Sequence, residues 1–322
     1  MADFLQSTDL DRFRDALLGW YRRNRRDLPW RRTLDPYAIW VSEIMLQQTR
    51  VTAVIAHYNR FLKRFPNVQK LAAARESSVL GHWSGLGYYR RARNLHAAAK
   101  AVVREHAGVF PRTAAGLQTL PGIGRYTAAA IASIAFDEAS AVVDGNVERV
   151  ISRLSGCTIA SHQIWEAAAV LLENEHPGDF NQAMMELGAT VCRPAEPNCL
   201  ACPVRSFCRT RGRHSAGRKR TRQVKREIAY ALEQGGNSVR LVQRGANEQL
   251  MPGMWELPQV EVPAQHKLLF SLRHSITVTD YRVRVLSVAG ELAGTWIKYS
   301  RLAALPLTGL TKKILRRAGV IE

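Results

Sequence analysis

A glycine-rich hairpin and an aspartate one helix later are the residues of this sequence best suited to chemistry. Gly122 and Gly124 precede an alanine-rich helix, so backbone N–H groups stay uncovered at the positive end of the helix dipole, which suits a phosphate. Asp144 follows at the next turn, where an anion is unfavourable unless it acts on something cationic. Gly-x-Gly is also a common loop, and Asp144 is also a suitable N-cap for the following apolar helix. Both interpretations are open at this point.

A second carboxylate stands in an apolar context. Glu43 lies on a predicted helix that Asp35-Pro36 opens, next to Ile44 and close to Trp40. Partial desolvation would raise its pKa toward that of a general acid, although most glutamates on helices are exposed.

Four of the five cysteines are crowded into one loop. Cys192, Cys199, Cys202 and Cys208 are separated by six, two and five residues. In a reducing compartment this spacing indicates a shared metal centre rather than disulfides, and either an iron-sulfur cluster or a tetrahedral zinc satisfies it. Cys157 is predicted to be a buried structural thiol.

Charge is the unusual property of the composition. The 322 residues include 46 Lys plus Arg against 27 Asp plus Glu, a net charge of +19. We therefore expect a polyanionic partner, nucleic acid rather than a membrane. The N-terminus lacks a signal-peptide pattern and no apolar run could span a bilayer, so we expect an intracellular, soluble protein.

The hydrophobic periodicity changes along the chain. The first two hundred residues show only helical patterns, residues 209–226 form a basic stretch without apolar periodicity, and a period of two follows. The predicted strands are Ile228–Leu232, Ser238–Gln243, Tyr281–Leu286 and Trp296–Tyr299, the first two joined through Gly235-Gly236-Asn237, before a basic helix at Thr308–Ala318. The pattern predicts an all-α region followed by a small α+β domain.

The motifs together resemble a known family. The hairpin at residues 120–128, Asp144 and the Cys-x6-Cys-x2-Cys-x5-Cys spacing resemble helix-hairpin-helix DNA glycosylases that carry a [4Fe-4S] cluster. Residues 40–49, 85–94 and 180–188 resemble the MutY-type adenine glycosylases within that superfamily. The resemblance implies a helix-hairpin-helix catalytic region at 1–208 with its cluster loop at 192–208, a linker at 209–226 and a Nudix-like damage-recognition domain at 227–322.

The resemblance implies hydrolytic removal of adenine mispaired with 8-oxoguanine or guanine. Breaking the N-glycosidic bond forms a cationic sugar and an anionic base, so Glu43 is expected to protonate adenine while Asp144, ionised beside Asn146, stabilises or traps the sugar. Tyr126 stands where superfamily members that also cut the strand carry a Schiff-base lysine, so we expect a monofunctional enzyme.

Further residues take their expected roles from the same family. Arg31 and Glu186 are expected to read the extruded adenine with Trp30 packed nearby, and the cluster is expected on the four cysteines. The residues expected to contact DNA are Gln48 and Tyr88 as wedges, Thr49 and Leu86 at the opposite base, Gly122, Ile123 and Gly124 at a phosphate, and Thr277 at the damaged base.

The C-terminal domain departs from the family at one loop. Residues 251–258 match the Nudix-like domain, but the acid-rich metal box of Nudix hydrolases is missing, so no nucleotide hydrolysis is expected. Where the family presents Phe-Ser-His, this chain has Ile276-Thr277-Val278, which keeps a hydroxyl but loses the aromatic ring and the histidine. Discrimination of 8-oxoguanine from guanine is therefore expected to be weaker.

We expect a monomeric, cytoplasmic, nucleoid-associated protein of bacterial type whose partner is double-stranded DNA carrying such mispairs, without a membrane. Two other interpretations remain: a thymine or uracil mismatch glycosylase of the same superfamily, and a non-catalytic iron-sulfur protein that scans DNA.

Overall fold

The computed structural model describes residues 7–157, 159–212, 224–245, 247–248, 251–261, 267–276, 279–288 and 292–321. The chain divides into two compact units, Met1–Ala73 with Ala97–Gly217 and Ala74–His96 with Arg218–Glu322. Residues 74–96 thus belong to the same unit as the C-terminal part, whereas the predicted domains follow chain order. The predicted linker falls largely on residues 213–223, outside the described ranges.

The helices agree with the predicted helical pattern of the first two hundred residues. Asp35 caps α2 by accepting the Tyr37 N–H, and Pro36 occupies the first turn. In chain order they are α1 Ser7–Asn24, α2 Pro36–Leu46, α3 Val51–Arg64, α4 Val68–Ala72, α5 Glu76–Trp83, α6 Arg90–Glu105, α7 Ala114–Gln118, α8 Arg125–Phe136, α9 Gly145–Ser155, α10 Ser161–Leu171, α11 Pro177–Thr190, α12 Tyr299–Leu302 and α13 Gly309–Arg317, with short 3-10 turns at Pro29–Arg31, Cys199–Ala201 and Arg205–Phe207.

The centre of the first unit is built on α2 and α8. Both are apolar around most of their circumference, as a helix surrounded by other helices must be, and they pack against each other. Beside them α1, α9, α10 and α11 share one core, which includes Phe13, Tyr21, Ile151 and Phe180. The beginnings of α8 and α9 and the middle of α2 are therefore held by buried helices.

The described residues of the second unit form two sheets. Its strands are β1 Val224–Ala231, β2 Gln234–Gly235, β3 Ser238–Gln243, β4 Trp255–Glu256, β5 Gln259–Val260, β6 Lys267–Ile276, β7 Thr279–Ser287 and β8 Thr295–Lys298. One sheet has the order β5-β1-β7-β6, with β1 and β7 parallel, and the other has β2-β3-β4 with β8 on β3. Apolar residues of both sheets and α13 form its core. The predicted fold class, mainly helical with a small α+β C-terminal part, is confirmed.

The predicted pairing of the first two strands is wrong. Ile228–Leu232 corresponds to β1, which lies in a different sheet from β3, and the Gly236-Asn237 turn instead joins β2 to β3. A two-residue turn connects strands adjacent in sequence, and the intervening β2 is too short to show a period of two. The prediction also omitted β6. Its apolar run Leu268, Leu269 and Phe270 breaks the alternation of apolar and polar residues, and the strand has a bulge at this point.

Within the described ranges, no helix combines the length and apolar character that crossing a membrane requires.

Close packing between α9 and α11 depends on Gly188. A Cβ built there would lie 2.6 Å from Asn146 Cβ and 2.9 Å from the Asn146 carbonyl oxygen. Because one contact is backbone, Gly188→Ala is expected to lower the free energy of unfolding by about 1–3 kcal/mol. Thermal unfolding followed by far-ultraviolet circular dichroism measures the change.

Gly19→Ala on α1 is the matched control. Its Cβ would meet only the Arg23 side chain at 3.6 Å, so the substitution should raise stability by about 0.5–1 kcal/mol through helix propensity. Equal melting temperatures for the two variants would contradict the close approach at Gly188.

Candidate active site

Glu43 and Tyr126 form the centre of the site. Glu43 lies on α2 and is only 6% exposed, and the Tyr126 hydroxyl at the start of α8 donates a 2.7 Å hydrogen bond to its Oε2. The same hydroxyl lies 3.4 Å from the Met185 sulfur of α11. Three helices thus fix one carboxyl oxygen.

Burial controls the protonation of this pair. Desolvation raises the pKa of Glu43 to about 7, with the hydrogen bond from Tyr126 opposing and the charge of Asp144 reinforcing the rise. Burial, followed by the charges of Glu43 and Asp144, raises the pKa of the Tyr126 hydroxyl well above its usual value. Tyr126 therefore stays a donor at neutral pH, while Glu43 can hold or release a proton.

Asp144 lies at the N-terminus of α9. Its Oδ1 accepts the N–H groups of Asn146 at 2.9 Å and Val147 at 2.8 Å, and its Oδ2 accepts the Asn146 side-chain amide at 2.8 Å. Three N–H donors and the helix dipole stabilise its negative charge. Asp144 is therefore a helix cap and also a neighbour of Glu43, so both interpretations of the sequence apply.

Arg149 connects Asn146, the hydrogen-bond partner of this aspartate, to the cysteine loop. Its Nη2 donates to Asn146 Oδ1 at 2.8 Å, and its Nε donates to the Cys192 carbonyl at 2.8 Å. Sequence reasoning missed this residue. Its position three residues after Asn146, on the same helical face, is the only sequence signal that could have indicated it.

A second buried carboxylate has a pKa shifted in the opposite direction. Glu186 is 1% exposed, and its carboxylate accepts hydrogen bonds from Arg26 at 2.7 and 2.8 Å and from Arg31 at 2.8 Å. Burial alone would raise its pKa, but the two guanidinium groups outweigh that effect and lower it to about 2. Glu186 is ionised at neutral pH.

Arg31 and Glu186, to which the family resemblance gives the same expected role, are hydrogen-bonded to each other, and Arg26 was not foreseen. The basic run at residues 22–32 contains six arginines, and nothing in the pattern indicates which of them turn inward. Trp30 is buried and packs edge-on against Tyr58 with ring centroids 5.4 Å apart.

The hairpin is placed as the sequence predicted. Gly122 has φ 74°, Ile123 is buried, and Gly124 is the N-cap of α8 with open space around it. Tyr126 follows two residues later, so the N-terminus of α8 and the hydrogen-bond partner of Glu43 belong to the same turn. The Ile123 N–H already donates to the Leu120 carbonyl oxygen at 3.2 Å.

The expected DNA contacts outside the hairpin lie on two loops. Gln48, at the end of α2, is exposed with φ 55°, and Thr49 beside it is half-buried. Leu86 is buried, whereas Tyr88 is 48% exposed with φ 47°. Thr277 and its neighbour Val278 lie outside the described residues.

The four cysteines line one cavity. None of them forms a disulfide, and Arg153 Nη1 donates to the Cys192 sulfur at 3.2 Å. Arg205 and Arg211 also line the cavity. In the described part of the chain no group of three or more His, Cys, Asp or Glu side chains is placed to hold a metal ion; the thiols line the cavity wall instead.

This donor set fits a cysteine-ligated centre. Burial raises the pKa of Cys202 to about 11, and the neighbouring thiolates add to that rise, so four thiolates are stable here only with a cation between them. The arginines offset the net negative charge of a four-thiolate centre. Cys157 is exposed, so its predicted burial is wrong; it follows the αL residue Gly156 that ends α9.

Comparison with known proteins assigns the family. Residues 41–173, which carry Glu43, the hairpin and Asp144, match the HhH-GPD superfamily of base excision DNA repair proteins. A solved thermostable thymine-DNA glycosylase is 30% identical, with a TM-score of 0.61, and the match covers 65% of this chain and all of that one. The chain belongs to the HhH-GPD superfamily.

Curated relatives of this HhH-GPD protein extend the similarity. Rat "Adenine DNA glycosylase" is 42% identical over 84% of this chain, and the human protein of that name is 50% identical over 65%. The matches cover 66% and 41% of those proteins, so the chain spans less than two thirds of their length. An endonuclease III–DNA complex is 22% identical with a TM-score of 0.57, which shows the shared fold.

Ionisation of Glu43 is expected to weaken the fold as the pH rises. Its pKa rises from 4.5 to about 7 on folding, so the folded protein binds the extra proton between these values and stability falls across that window. Glu43→Gln cannot ionise and is expected to be more stable than wild type above pH 7, by up to about 3 kcal/mol. The two proteins should converge near pH 4.5.

Melting temperatures between pH 5 and pH 8 measure this difference. Glu148→Gln, which removes an exposed carboxylate on α9, should leave the wild-type profile unchanged. A constant offset between Glu43→Gln and wild type across the range would show that ionisation of Glu43 is not the cause.

Proposed function

We propose that this chain is an adenine DNA glycosylase that hydrolyses the N-glycosidic bond of adenine mispaired with 8-oxoguanine or guanine. One observation carries the proposal: a buried carboxyl with a pKa of about 7 lies beside a charged aspartate, in a chain 42% identical to rat adenine DNA glycosylase. The two carboxyl groups supply an acid for the base and a charge for the sugar.

The proposed reaction begins with a proton from Glu43. Adenine is a poor leaving group as an anion, so protonation of the base by the buried carboxyl lowers the barrier to bond breakage. Tyr126 holds the Glu43 oxygen, and its own hydroxyl keeps its proton. Asp144, positioned by Asn146, stabilises the oxocarbenium-like sugar or bonds to it until water completes hydrolysis.

The tyrosine at position 126 supports base removal without strand cleavage. A β-elimination enzyme needs an amine that attacks the sugar carbon as a nucleophile. Tyr126 has no amine, and its hydroxyl is committed to Glu43. The proposed enzyme is therefore monofunctional.

Arg31, Glu186 and Trp30 are the proposed adenine pocket. Ionised Glu186 can accept a hydrogen bond from an exocyclic amine, and the two arginines that neutralise it are already aligned. Gln48 and Tyr88 are the proposed wedges in the base stack, Thr49 and Leu86 the contacts to the opposite base, and Gly122, Ile123 and Gly124 the phosphate cradle. Thr277 is the proposed contact to the damaged base, without the aromatic and histidine neighbours usual in the family.

The thymine-glycosylase alternative is supported by one solved relative. The thymine-DNA glycosylase matches 65% of this chain, whereas the rat adenine glycosylase matches 84%. The similarity to the rat protein therefore extends beyond the glycosylase part. The longer match favours adenine as the base that is released.

We propose a [4Fe-4S] cluster on Cys192, Cys199, Cys202 and Cys208. When bound, the cluster would cross-link residues 192–208 and fix this loop beside Arg149 and Arg153. The net charge of +19 supports DNA as the partner. We further propose that the protein acts as a monomer in the cytoplasm, associated with the nucleoid.

Base release is expected to depend on both carboxyl groups. Glu43→Gln and Asp144→Asn should each slow adenine excision by roughly 10²–10⁴-fold, the usual contribution of such groups. A single-turnover assay on A:8-oxoguanine, A:guanine and T:guanine duplexes measures this, with strands cut only after treatment with alkali.

Glu148→Gln serves as the exposed-carboxylate control and should excise at the wild-type rate. Thymine release with adenine untouched would support the mismatch-glycosylase alternative, and binding without any base release would support a non-catalytic scanning protein. Nearly equal rates on A:8-oxoguanine and A:guanine would agree with the altered loop at Thr277.

The nature of the cysteine-bound centre can be measured separately. Purified protein is expected to show broad visible absorption near about 400 nm and bound iron, because iron-thiolate clusters absorb there and zinc does not. Cys202→Ser should reduce both, whereas Cys157→Ser, outside the cavity, should leave them unchanged. A colourless protein containing zinc would overturn the cluster assignment.

A further inference from the structure

The loop at residues 85–88 has an unusual backbone. Gly85 has φ 110°, Gly87 has φ 70° and Tyr88 has φ 47°. Glycine accepts this region readily, but tyrosine pays a steric penalty there, so the surrounding structure must hold it in place. Tyr88 is nevertheless 48% exposed and presents a large aromatic ring to solvent. An exposed ring on a strained backbone points to a function outside the core.

Arg91, one residue into α6, contacts nearly every part of this loop. Its Nη2 donates to the carbonyl oxygens of Leu86 at 3.2 Å and Gly87 at 3.4 Å. Its guanidinium carbon also lies 5.4 Å from the centroid of the Tyr88 ring, within cation–π range. One side chain therefore fixes both the loop backbone and the tyrosine ring.

Trp83 provides the rigid support for Arg91. Its ring, fully buried at the end of α5, lies 5.4 Å from the Arg91 guanidinium carbon. Its indole N–H donates to the Gly87 carbonyl at 3.1 Å. Trp83 and Arg91 thus converge on the same carbonyl from a buried position, and Arg91 stacks against both aromatic rings.

Arg91 keeps its charge in this position. Burial lowers its pKa to about 10, which still leaves the guanidinium protonated at neutral pH. A lysine would retain the charge but could not stack a planar group on both rings while donating to two carbonyls. The geometry requires the shape of arginine as well as its charge.

We infer that Arg91 is a positioning residue for the proposed reaction: it holds Tyr88 ready to enter the DNA base stack. This inference rests on the proposed function, in which Tyr88 is a wedge. Extrusion costs unstacking energy, and a wedge that is already ordered has less conformational freedom to lose on binding. Arg91 then acts on base extrusion through Tyr88 and touches neither the base nor the sugar.

Two measurements on the cluster-loaded 322-residue chain test this. The first is single-turnover excision from an A:8-oxoguanine duplex. The second is fluorescence of 2-aminopurine placed next to the adenine, which rises when its neighbour unstacks and needs no bond cleavage. Arg91→Met, which keeps the length of the side chain but not its charge or planar group, should slow the fluorescence rise by roughly tenfold.

Arg90→Met is the matched control. Arg90 is exposed at the first position of α6, so this variant removes the same charge from the adjacent residue without touching the loop carbonyls. It should stay within about twofold of the wild-type unstacking rate. A loss as large as that of Arg91→Met would assign the effect to general charge and overturn the inference.

The double variant Tyr88→Leu/Arg91→Met separates positioning from fold damage. If Arg91 acts through Tyr88, the double variant unstacks no more slowly than Tyr88→Leu alone; independent, additive losses would overturn the inference. Arg91→Lys, which preserves charge and much of the packing, covers the case in which Arg91→Met does not fold. It should show the unstacking defect at a melting temperature close to that of wild type.

The outcomes distinguish this inference from the proposed function. If Tyr88→Leu slows unstacking but Arg91→Met and Arg91→Lys do not, the positioning role is wrong and the glycosylase proposal stands. If Tyr88→Leu itself has no effect, the wedge is wrong and the inference fails with it. If the wild type unstacks the duplex without releasing adenine, the proposed reaction fails while the Arg91 result still decides the positioning role.

Discussion

The burial of the Glu43 carboxyl against the Tyr126 hydroxyl is the interaction on which the rest of the site depends. A carboxyl in water is ionised at neutral pH, and only removal from water brings its pKa to about 7. That removal requires α2 to be surrounded, which explains why nine of its eleven residues are buried and why it has no polar face. The apolar pattern that builds the core therefore also sets the acidity of one side chain.

Two buried glutamates of this fold have pKa values shifted in opposite directions, and their partners explain why. Glu43 receives one hydrogen bond from a neutral hydroxyl, so desolvation dominates. Glu186 receives hydrogen bonds from two guanidinium groups, so its negative charge is more than compensated. The contrast supports different roles for the two: Glu43 as a proton donor and Glu186 as a fixed acceptor.

The sequence predicted those parts of the fold and site that local patterns encode. Asp144 was recognisable as a helix cap, the cysteines by their spacing, and Glu43 by its apolar neighbours, because each signal lies within a few residues. Arg26 and Arg149 were missed because their partners are 160 and 43 residues away, and a charged residue looks the same in sequence whether it faces solvent or a buried carboxylate. The pairing of β1 with β7 was not predicted for a similar reason. Two parallel strands are joined by a long connection, so no short turn in the sequence marks them as neighbours.

Helix α11 shows how one short segment can connect these long-range partners. Met185, Gly188 and Cys192 recur at helical spacing and so share one side, the first contacting Tyr126, the second packing on Asn146 and the third reaching Arg149 and Arg153 just past the helix end. Only glycine at position 188 allows the Asn146 backbone to approach so closely. Because Asn146 in turn holds Asp144, the distance between α9 and α11 fixes the aspartate relative to Tyr126. The placement of both carboxyl groups thus depends on the packing of small residues as much as on the identity of the acids.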